Sequence, residues 1–215
     1  LEEENYELMV GTGDSNALSY GFTKKRAVHP GVSGQMIPPP MAPQKWVELM
    51  KQEPDMSKKR MVYIHIPFCS HICLYCGFFQ NFINEDREQR YVARLLKELE
   101  MAKEDKMLQA KPMQCVFFGG GTPSALSPAN IAKVLQKLKE CIPLTNDCEI
   151  TMEARIYDLQ KERIEAWFAN GVNRVSIGVQ SFDTKIRQAS GRLDTKETVM
   201  ERLKLISSYD QASII

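Results

Sequence analysis

Three cysteines that lie close together, Cys69, Cys73 and Cys76, constrain this chain more than any other feature. They form a Cys-x3-Cys-x2-Cys run directly after a short apolar segment that is predicted to be a strand. A closed structural zinc site takes four protein ligands, whereas three thiolates can hold a four-iron, four-sulfur (4Fe-4S) cluster and leave one iron open. The alternative is a zinc knuckle that His71 completes. Because an open iron can bind and reduce another molecule, the spacing favours an enzyme.

The charge and cysteine composition exclude several classes of function. The 215 residues contain 28 Lys and Arg against 27 Asp and Glu, so no net charge attracts the chain to nucleic acid or to a membrane surface. No apolar run has the length of a membrane-spanning helix. The other cysteines, Cys115, Cys141 and Cys148, are scattered along the chain, which is typical of reduced thiols in a cytoplasmic protein. The acidic first residues do not resemble a secretory signal.

Residues 1–60 show no clear periodicity of either helix or strand. The prolines at 38–40 interrupt any regular structure, and a short helix is plausible at 43–51. A basic stretch at 24–26 could meet the carboxylates of a substrate or be an ordinary solvated surface. We therefore expect an N-terminal extension at 1–60, in possible contact with substrate, and one domain at 61–215.

From residue 61 onward, predicted strands alternate with predicted helices. Ser127 is a favourable helix N-cap, and Pro128 suits the first turn that follows it. This alternation predicts an α/β fold with a parallel sheet. The last residues resemble the start of a fifth strand, so we expect the native protein to continue beyond them. The strands are predicted at 61–66, 113–118, 148–153 and 173–179, and the helices at 84–105, from Ser127, at 159–169 and at 195–208.

The predicted strands have one apolar and one polar face. In the third strand, for example, Ile150 and Met152 alternate with Glu149, Thr151 and Glu153. A closed barrel of parallel strands fills its interior with apolar side chains, so a polar interior predicts an open or partial barrel that holds a ligand. An antiparallel sheet with one face in water is the alternative.

Further candidate residues follow the later strands. Glycines at 119–121 follow the second strand, where bare backbone allows the close approach of a ligand, although such a run is often only a flexible turn. Glu153 and Gln180 end the polar faces of the third and fourth strands, and Arg192 lies in a Ser-Gly-Arg loop. Each could be an ordinary solvated residue. Because the carboxyl ends of parallel strands meet at one edge of a sheet, we expect the side chains to converge.

Three segments together resemble the radical S-adenosylmethionine (SAM) superfamily, in its oxygen-independent coproporphyrinogen oxidase-like branch. They are Tyr-x-His-Ile-Pro-x-Cys-x3-Cys-x-Tyr-Cys from Tyr63, Gly-Gly-Gly-Thr-Pro-Ser from Gly119, and Val-Ser-Ile-Gly-Val-Gln-Ser-Phe from Val175. The resemblance covers about residues 61–215. It implies a partial (β/α)6 barrel, of which this chain contains about four βα units and the start of a fifth.

The resemblance also implies roles for the candidate residues. The three cysteines would hold a 4Fe-4S cluster, whose open iron would bind the amino and carboxylate groups of S-adenosyl-L-methionine. Tyr63 would lie beside the sulfonium and Tyr75 beside the adenine. The methionine end would contact Gly120, Gly121 and Thr122. The first cofactor pocket would be completed, or a second SAM positioned, by Glu153, Gln180 and Arg192.

Within this branch the chain most resembles the haem-utilisation members, which are radical methyltransferases that open the haem ring and release iron. Coproporphyrinogen oxidases carry a further cysteine where this chain has Phe78, and the haem chaperones have an acidic residue where it has Gly77. The resemblance implies haem or a related tetrapyrrole as substrate and a flavodoxin- or ferredoxin-type electron donor. Porphyrinogen decarboxylation and haem carriage without turnover are the alternatives.

Overall fold

The computed structural model describes residues 36–77, 81–209 and 213–214, the last two for their backbone alone. The basic stretch at 24–26 and the residues 78–80 lie outside this part. The chain divides into two units, Leu1–Lys45 and Trp46–Ile215. The described residues of the first unit include a 3-10 turn, Pro39–Met41. Helix α1 follows this turn and comprises Ala42–Met50. The predicted boundary at residue 60 stays a prediction.

A parallel sheet forms the second unit, as the alternation of elements predicts. Its strands are β1 (Met61–Ile66), β2 (Met113–Gly120), β3 (Leu144–Arg155), β4 (Arg174–Gly178) and β5 (Ser213–Ile214). They lie side by side in the order of the sequence, and each neighbouring pair is parallel. The sheet is open, with β1 and β5 at its edges, which confirms an α/β partial barrel with four complete units.

Helices connect the strands. They are α2 (Glu85–Met101), α3 (Lys106–Gln109), α4 (Pro128–Cys141), α5 (Lys161–Ala169), α6 (Thr184–Ala189) and α7 (Lys196–Ser207). The predicted cap is present, because the Ser127 side chain accepts a hydrogen bond from the Asn130 amide. In the described ranges no helix combines the length and the apolar content that crossing a membrane requires.

One face of the sheet carries the core. Its central strand residues are at most 4% exposed, and α4 packs between α2 and α5 to cover them. Burying a large apolar side chain contributes about 1.5–3 kcal/mol, so this face supplies most of the stability. The central residues are Ile64, Ile66, Val116, Phe118, Ile150, Met152 and Val175.

The other face is polar, as predicted, but it is not uniformly in water. Thr151 is fully buried, and its hydroxyl donates to the Glu149 carboxylate at 3.1 Å. The same carboxylate accepts from Arg174 of β4 at 2.8 Å. The polar groups in this part of the face therefore form hydrogen bonds with one another.

The structure differs most from the predicted elements at the start of β3 and at α6. β3 begins at Leu144 and not at residue 148, because Leu144 pairs with Met113 before the register shifts. Three polar residues at 145–147 hide this start in the sequence. Helix α6 was not predicted, since its six residues are too few to show an apolar period. The Asp183 side chain caps it by accepting from the Ile186 amide at 2.9 Å.

Candidate functional site

A cavity of about 440 Å³ opens at the carboxyl ends of β2, β3 and β4, beside the loop that carries the three cysteines. We call it the carboxyl-end cavity. Every site residue predicted from the sequence lines it except Tyr63. The predicted convergence of side chains from separate strands is therefore present in the fold.

The cysteine loop is held on two sides by backbone hydrogen bonds. Cys69 donates its amide to the Asn81 carbonyl at 2.9 Å and accepts from the Ile83 amide at 3.1 Å. At the far end of the loop, the Leu74 amide donates to the Ser190 carbonyl at 3.0 Å. Cys69 and Cys73 are buried, and Cys76 is half-buried. Two separate segments thus fix the loop that presents the thiols to the cavity.

The three thiols and His71 are not gathered around one point in the described part of the chain. Zinc–sulfur bonds of about 2.3 Å in a tetrahedral site put neighbouring ligand atoms about 3.8 Å apart. Within the described ranges, no three ligand atoms drawn from Cys69, Cys73, Cys76 and His71 lie within 4.8 Å of one another. The His71 ring instead packs edge-on against Tyr157, with centroids 4.8 Å apart.

Two glycines at the end of β2 allow the cysteine segment to pack against it. A Cβ on Gly121 would lie 2.6 Å from the Phe68 carbonyl oxygen, and one on Gly120 would lie 2.8 Å from that of Ile66. Both distances are closer than non-bonded atoms allow. Thr122 follows, fully enclosed, and its hydroxyl lies 3.2 Å from the Cys69 sulfur. These residues therefore place the backbone and one hydroxyl beside a thiol.

Glu153 is a partly desolvated carboxyl at the end of β3. Burial raises its pKa, and a hydrogen bond from the Gly120 backbone opposes that rise. Tyr63 lies outside the cavity lining and is 52% exposed. Its hydroxyl is 3.2 Å from His65 Nδ1. Burial, followed by the charge of Glu153, raises the pKa of Tyr63. Tyr63 is thus a neighbour of this wall of the cavity.

Arg192 comes from the loop after α6, and it is 7% exposed. Its Nε donates to the Tyr75 hydroxyl at 2.9 Å, and its Nη1 donates to the Gly178 carbonyl at 2.6 Å. A Cβ on Gly178 would lie 3.1 Å from Gln180 Nε2 and 3.5 Å from Arg192 Nη2. The Gln180 amide and the Arg192 guanidinium therefore lie side by side at the end of β4, with Tyr75 held against the arginine.

Gln180 has a left-handed backbone, with φ of 69°, a conformation that is strained for a residue with a side chain. Arg187, which is fully buried, holds it in place. Nη1 of Arg187 donates to the carbonyls of Val179 and Ser181 at 2.6 and 3.0 Å, on either side of Gln180. The same guanidinium bonds Asp194, two residues after Arg192. Arg187 was not identified from the sequence, because it acts only through these distant carbonyls.

Arg155 is a second residue that sequence reasoning missed. It ends β3, lines the cavity, and donates from Nη1 to the His71 carbonyl at 2.5 Å. The sequence does contain a signal for Arg155, because this residue lies two positions after Glu153 and therefore on the same face of the strand. It therefore joins the end of β3 directly to the cysteine loop.

Several known proteins are similar to this chain in sequence and in fold. Residues 63–214 match the model of the radical SAM superfamily. Over 194 residues the chain is 39% identical to anaerobilin synthase of Escherichia coli O157:H7, which covers 90% of this chain and 43% of that protein. Oxygen-independent coproporphyrinogen III oxidase of Helicobacter pylori J99 is 33% identical over 155 residues, 71% of this chain and 34% of that protein. The heme chaperone HemW of Buchnera aphidicola is 35% identical over 151 residues, 68% of this chain and 39% of the chaperone.

A solved structure of a radical SAM enzyme is also similar to this chain. Coproporphyrinogen III oxidase (HemN) from Escherichia coli, a radical SAM enzyme, superposes with a TM-score of 0.65 at 25% identity. The match covers 80% of this chain and 39% of HemN. The chain spans less than half the length of each of these relatives. Taken with the family match over most of its length, they place the chain in the radical SAM superfamily, whose cofactors are a 4Fe-4S cluster and S-adenosyl-L-methionine.

Proposed function

We propose that this protein is a radical SAM enzyme that acts on a tetrapyrrole, and that it opens the haem ring by radical methyl transfer with release of iron. The observation that carries the proposal is the convergence of three thiols with Glu153, Gln180 and Arg192 on one cavity. The similarity to anaerobilin synthase, which extends over 90% of the chain, favours haem over other tetrapyrroles.

Cys69, Cys73 and Cys76 would hold the cluster, since three thiolates leave one iron open to SAM. The cluster, when bound and reduced, would supply the electron for reductive cleavage of SAM, which starts radical chemistry on the substrate. The chain's own contribution is to orient the ligands. Thr122, whose hydroxyl lies 3.2 Å from the Cys69 sulfur, would bond that ligand and the methionine end together.

The charged residues of the cavity suit the two ends of SAM. Glu153, which has no ion-pair partner among the described residues, would accept hydrogen bonds from the ammonium group. Arg192 and Gln180 supply donors for a carboxylate or for ribose hydroxyls, either of the first SAM or of a second one. Tyr75, fixed by its bond to Arg192, would stack beside the adenine. Gly120 and Gly121 would contact the methionine end of SAM through their backbone.

The remaining assignments follow from the same hypothesis. Tyr63 would lie beside the sulfonium at the edge of the cavity, close to Glu153. A flavodoxin- or ferredoxin-type protein in the cytoplasm would supply the electron. Residues 1–60 would contact the substrate through their basic stretch.

Anaerobic turnover tests the proposal. The purified protein is reconstituted with iron and sulfide, then incubated with reductant, SAM and haem, and the tetrapyrrole products are analysed by mass spectrometry. We expect 5′-deoxyadenosine, methionine and a methylated linear tetrapyrrole, together with free iron. Haem that stays intact while SAM is cleaved would contradict ring opening.

Two controls separate the alternative functions. Coproporphyrinogen replaces haem in the first, and vinyl products there would favour oxidative decarboxylation. In the second, haem-loaded protein is mixed with an apo-haemoprotein without SAM, and haem transfer without turnover would favour a chaperone.

A further inference from the structure

The guanidinium of Arg155 is a cation in the wall of the cavity that the three cysteines share. Its Nη1 donates to the carbonyl of His71, which lies between Cys69 and Cys73 in the loop. The side chain therefore touches the cysteine loop directly. None of the roles assigned above requires this contact.

Arg155 makes no ion pair in the described part of the chain, although its charge reaches the buried Asp158 carboxyl, whose pKa is raised by burial, and opposes that rise. Among the residues that the structure describes, no carboxylate lies within ion-pair distance of the Arg155 guanidinium. Its Nε is buried without a hydrogen-bond partner in the same part of the chain. A buried donor without a partner destabilises the fold, so a purely structural arginine would be expected to donate a hydrogen bond from this nitrogen. This arrangement suits an arginine that acts on its surroundings through its positive charge.

The backbone beneath Arg155 is rigid. The Arg155 amide donates to the Ser124 hydroxyl at 3.2 Å, and that hydroxyl donates to the buried Asp158 carboxylate at 2.8 Å. Arg163 donates to the carbonyls of Ser124 and Leu126 at 2.8 and 2.5 Å. This network joins the end of β3 to the turn after β2, so the guanidinium has a fixed base from which to reach the cysteine loop.

We propose that Arg155 is a positioning residue of the cluster, which holds the cysteine loop through the His71 carbonyl and raises the reduction potential of the cluster by its charge. The inference rests on the proposed function, because it requires that the cysteines hold a 4Fe-4S cluster. Net charge and hydrogen bonding around a cluster set its potential. Reduction adds a negative charge, and a nearby cation in a poorly solvated site stabilises that charge.

Redox titration of the reconstituted protein tests the inference. Midpoint potentials are measured by optical and electron paramagnetic resonance (EPR) titration for the wild type, Arg155→Lys and Arg155→Gln, together with iron and sulfide content. We expect the potential to shift to more negative values in Arg155→Gln and by less in Arg155→Lys, which keeps the charge but not the planar fork. Hydrogen exchange in the cysteine loop should increase in both variants.

Arg163→Gln is the matched control. Arg163 belongs to the same network and also bonds backbone carbonyls, but it is not among the described residues that line the cavity. We expect this variant to lose stability and to keep the wild-type potential.

The outcomes separate this inference from the proposed function. A wild type that assembles no 4Fe-4S cluster would overturn the proposed function itself. An intact cluster with equal potentials in the wild type and Arg155→Gln would overturn only the role of Arg155. If Arg155→Gln fails to fold, the comparison of Arg155→Lys with Arg163→Gln decides, and equal potentials there count against the inference.

Discussion

Two regions of the same sheet face use polar residues in opposite ways. Toward the amino ends of the strands, Glu149 accepts from Arg174 at 2.8 Å and from Thr151 at 3.1 Å, with Cys115 beside them; we call these four residues the lower polar cluster. At the carboxyl ends, Glu153 has no cation within ion-pair distance among the described residues. The polar groups of the lower polar cluster bond one another, whereas the Glu153 carboxylate at the carboxyl-end cavity has no charged partner among the described residues.

The two glutamates show the difference most directly, since they lie four residues apart on one face of β3. The hydrogen bond from Arg174 lowers the pKa of Glu149, whereas burial raises the pKa of Glu153. Carboxyls whose pKa is raised by desolvation are common at functional sites. Polarity alone therefore does not identify the site; what identifies it is a desolvated charge without a protein partner.

Removing one thiol from each region gives the largest expected contrast. Cys73→Ala removes a proposed cluster ligand, so we expect complete loss of the brown chromophore and of 5′-deoxyadenosine formation. Cys115→Ala is the matched control, because Cys115 is a partly buried free thiol of the lower polar cluster, and it should keep both. Iron and sulfide analysis with product chromatography makes the comparison. A Cys73→Ala protein that keeps both signals would contradict the cluster assignment.

Neutralising one glutamate from each region should separate binding from stability. Loss of a charge-assisted hydrogen bond costs about 1.5–3 kcal/mol, so Glu153→Gln should bind SAM roughly tenfold to hundredfold more weakly, as equilibrium dialysis would measure. Binding to the wild type should weaken as pH falls through the raised pKa of Glu153, and the variant should lack this dependence. Glu149→Gln should bind SAM as the wild type does. Equal affinities in all three proteins would remove Glu153 from the site.

The left-handed residue at the cavity permits a smaller test. Gln180→Ala and Gln180→Gly both remove the amide, so both should bind SAM more weakly, by roughly twofold to tenfold. Because glycine adopts φ of 69° without strain, Gln180→Gly should be more stable than Gln180→Ala by about 1 kcal/mol. Urea unfolding measures the difference. A more stable alanine variant would show that Arg187 imposes no strain at this position.

The smallest expected effects are the pH dependences of stability, which should have opposite signs. Burial raises the pKa of Asp158 above 3.8, so its contribution to stability is present at low pH and is lost as pH rises through the folded-state pKa. Asp158→Asn should therefore gain stability relative to the wild type as pH rises above 3.8 and through the folded-state pKa of Asp158.

Glu149 behaves in the opposite sense because its pKa is lowered. Its ion pair stabilises the fold above the ordinary pKa of 4.5 and is lost as pH falls through the folded-state pKa. Glu149→Gln should lower the free energy of unfolding by less than about 1 kcal/mol, since the ion pair is partly exposed. This loss should occur only at neutral pH. Urea titrations over the same pH range measure both variants, and parallel pH profiles would contradict the contrast.

The sequence predicts the site better than it predicts what holds the site together. Cys69, Glu153 and Arg192 carry their chemistry in the side chain and occur in short motifs or at strand ends, so local pattern is enough to find them. Arg187 does not line the cavity and acts through carbonyls that only the fold brings to it. The early start of β3 likewise depends on pairing with Met113 across a register shift, which no local pattern specifies.

The central claim is that three thiols hold a 4Fe-4S cluster whose open iron faces SAM in the carboxyl-end cavity. The most direct measurement is the EPR spectrum of the reduced, reconstituted protein before and after addition of SAM. The account predicts the signal of a reduced 4Fe-4S cluster that changes on addition of SAM in the wild type and in Cys115→Ala. A signal that SAM leaves unchanged, or a reconstituted protein without such a cluster, would contradict it.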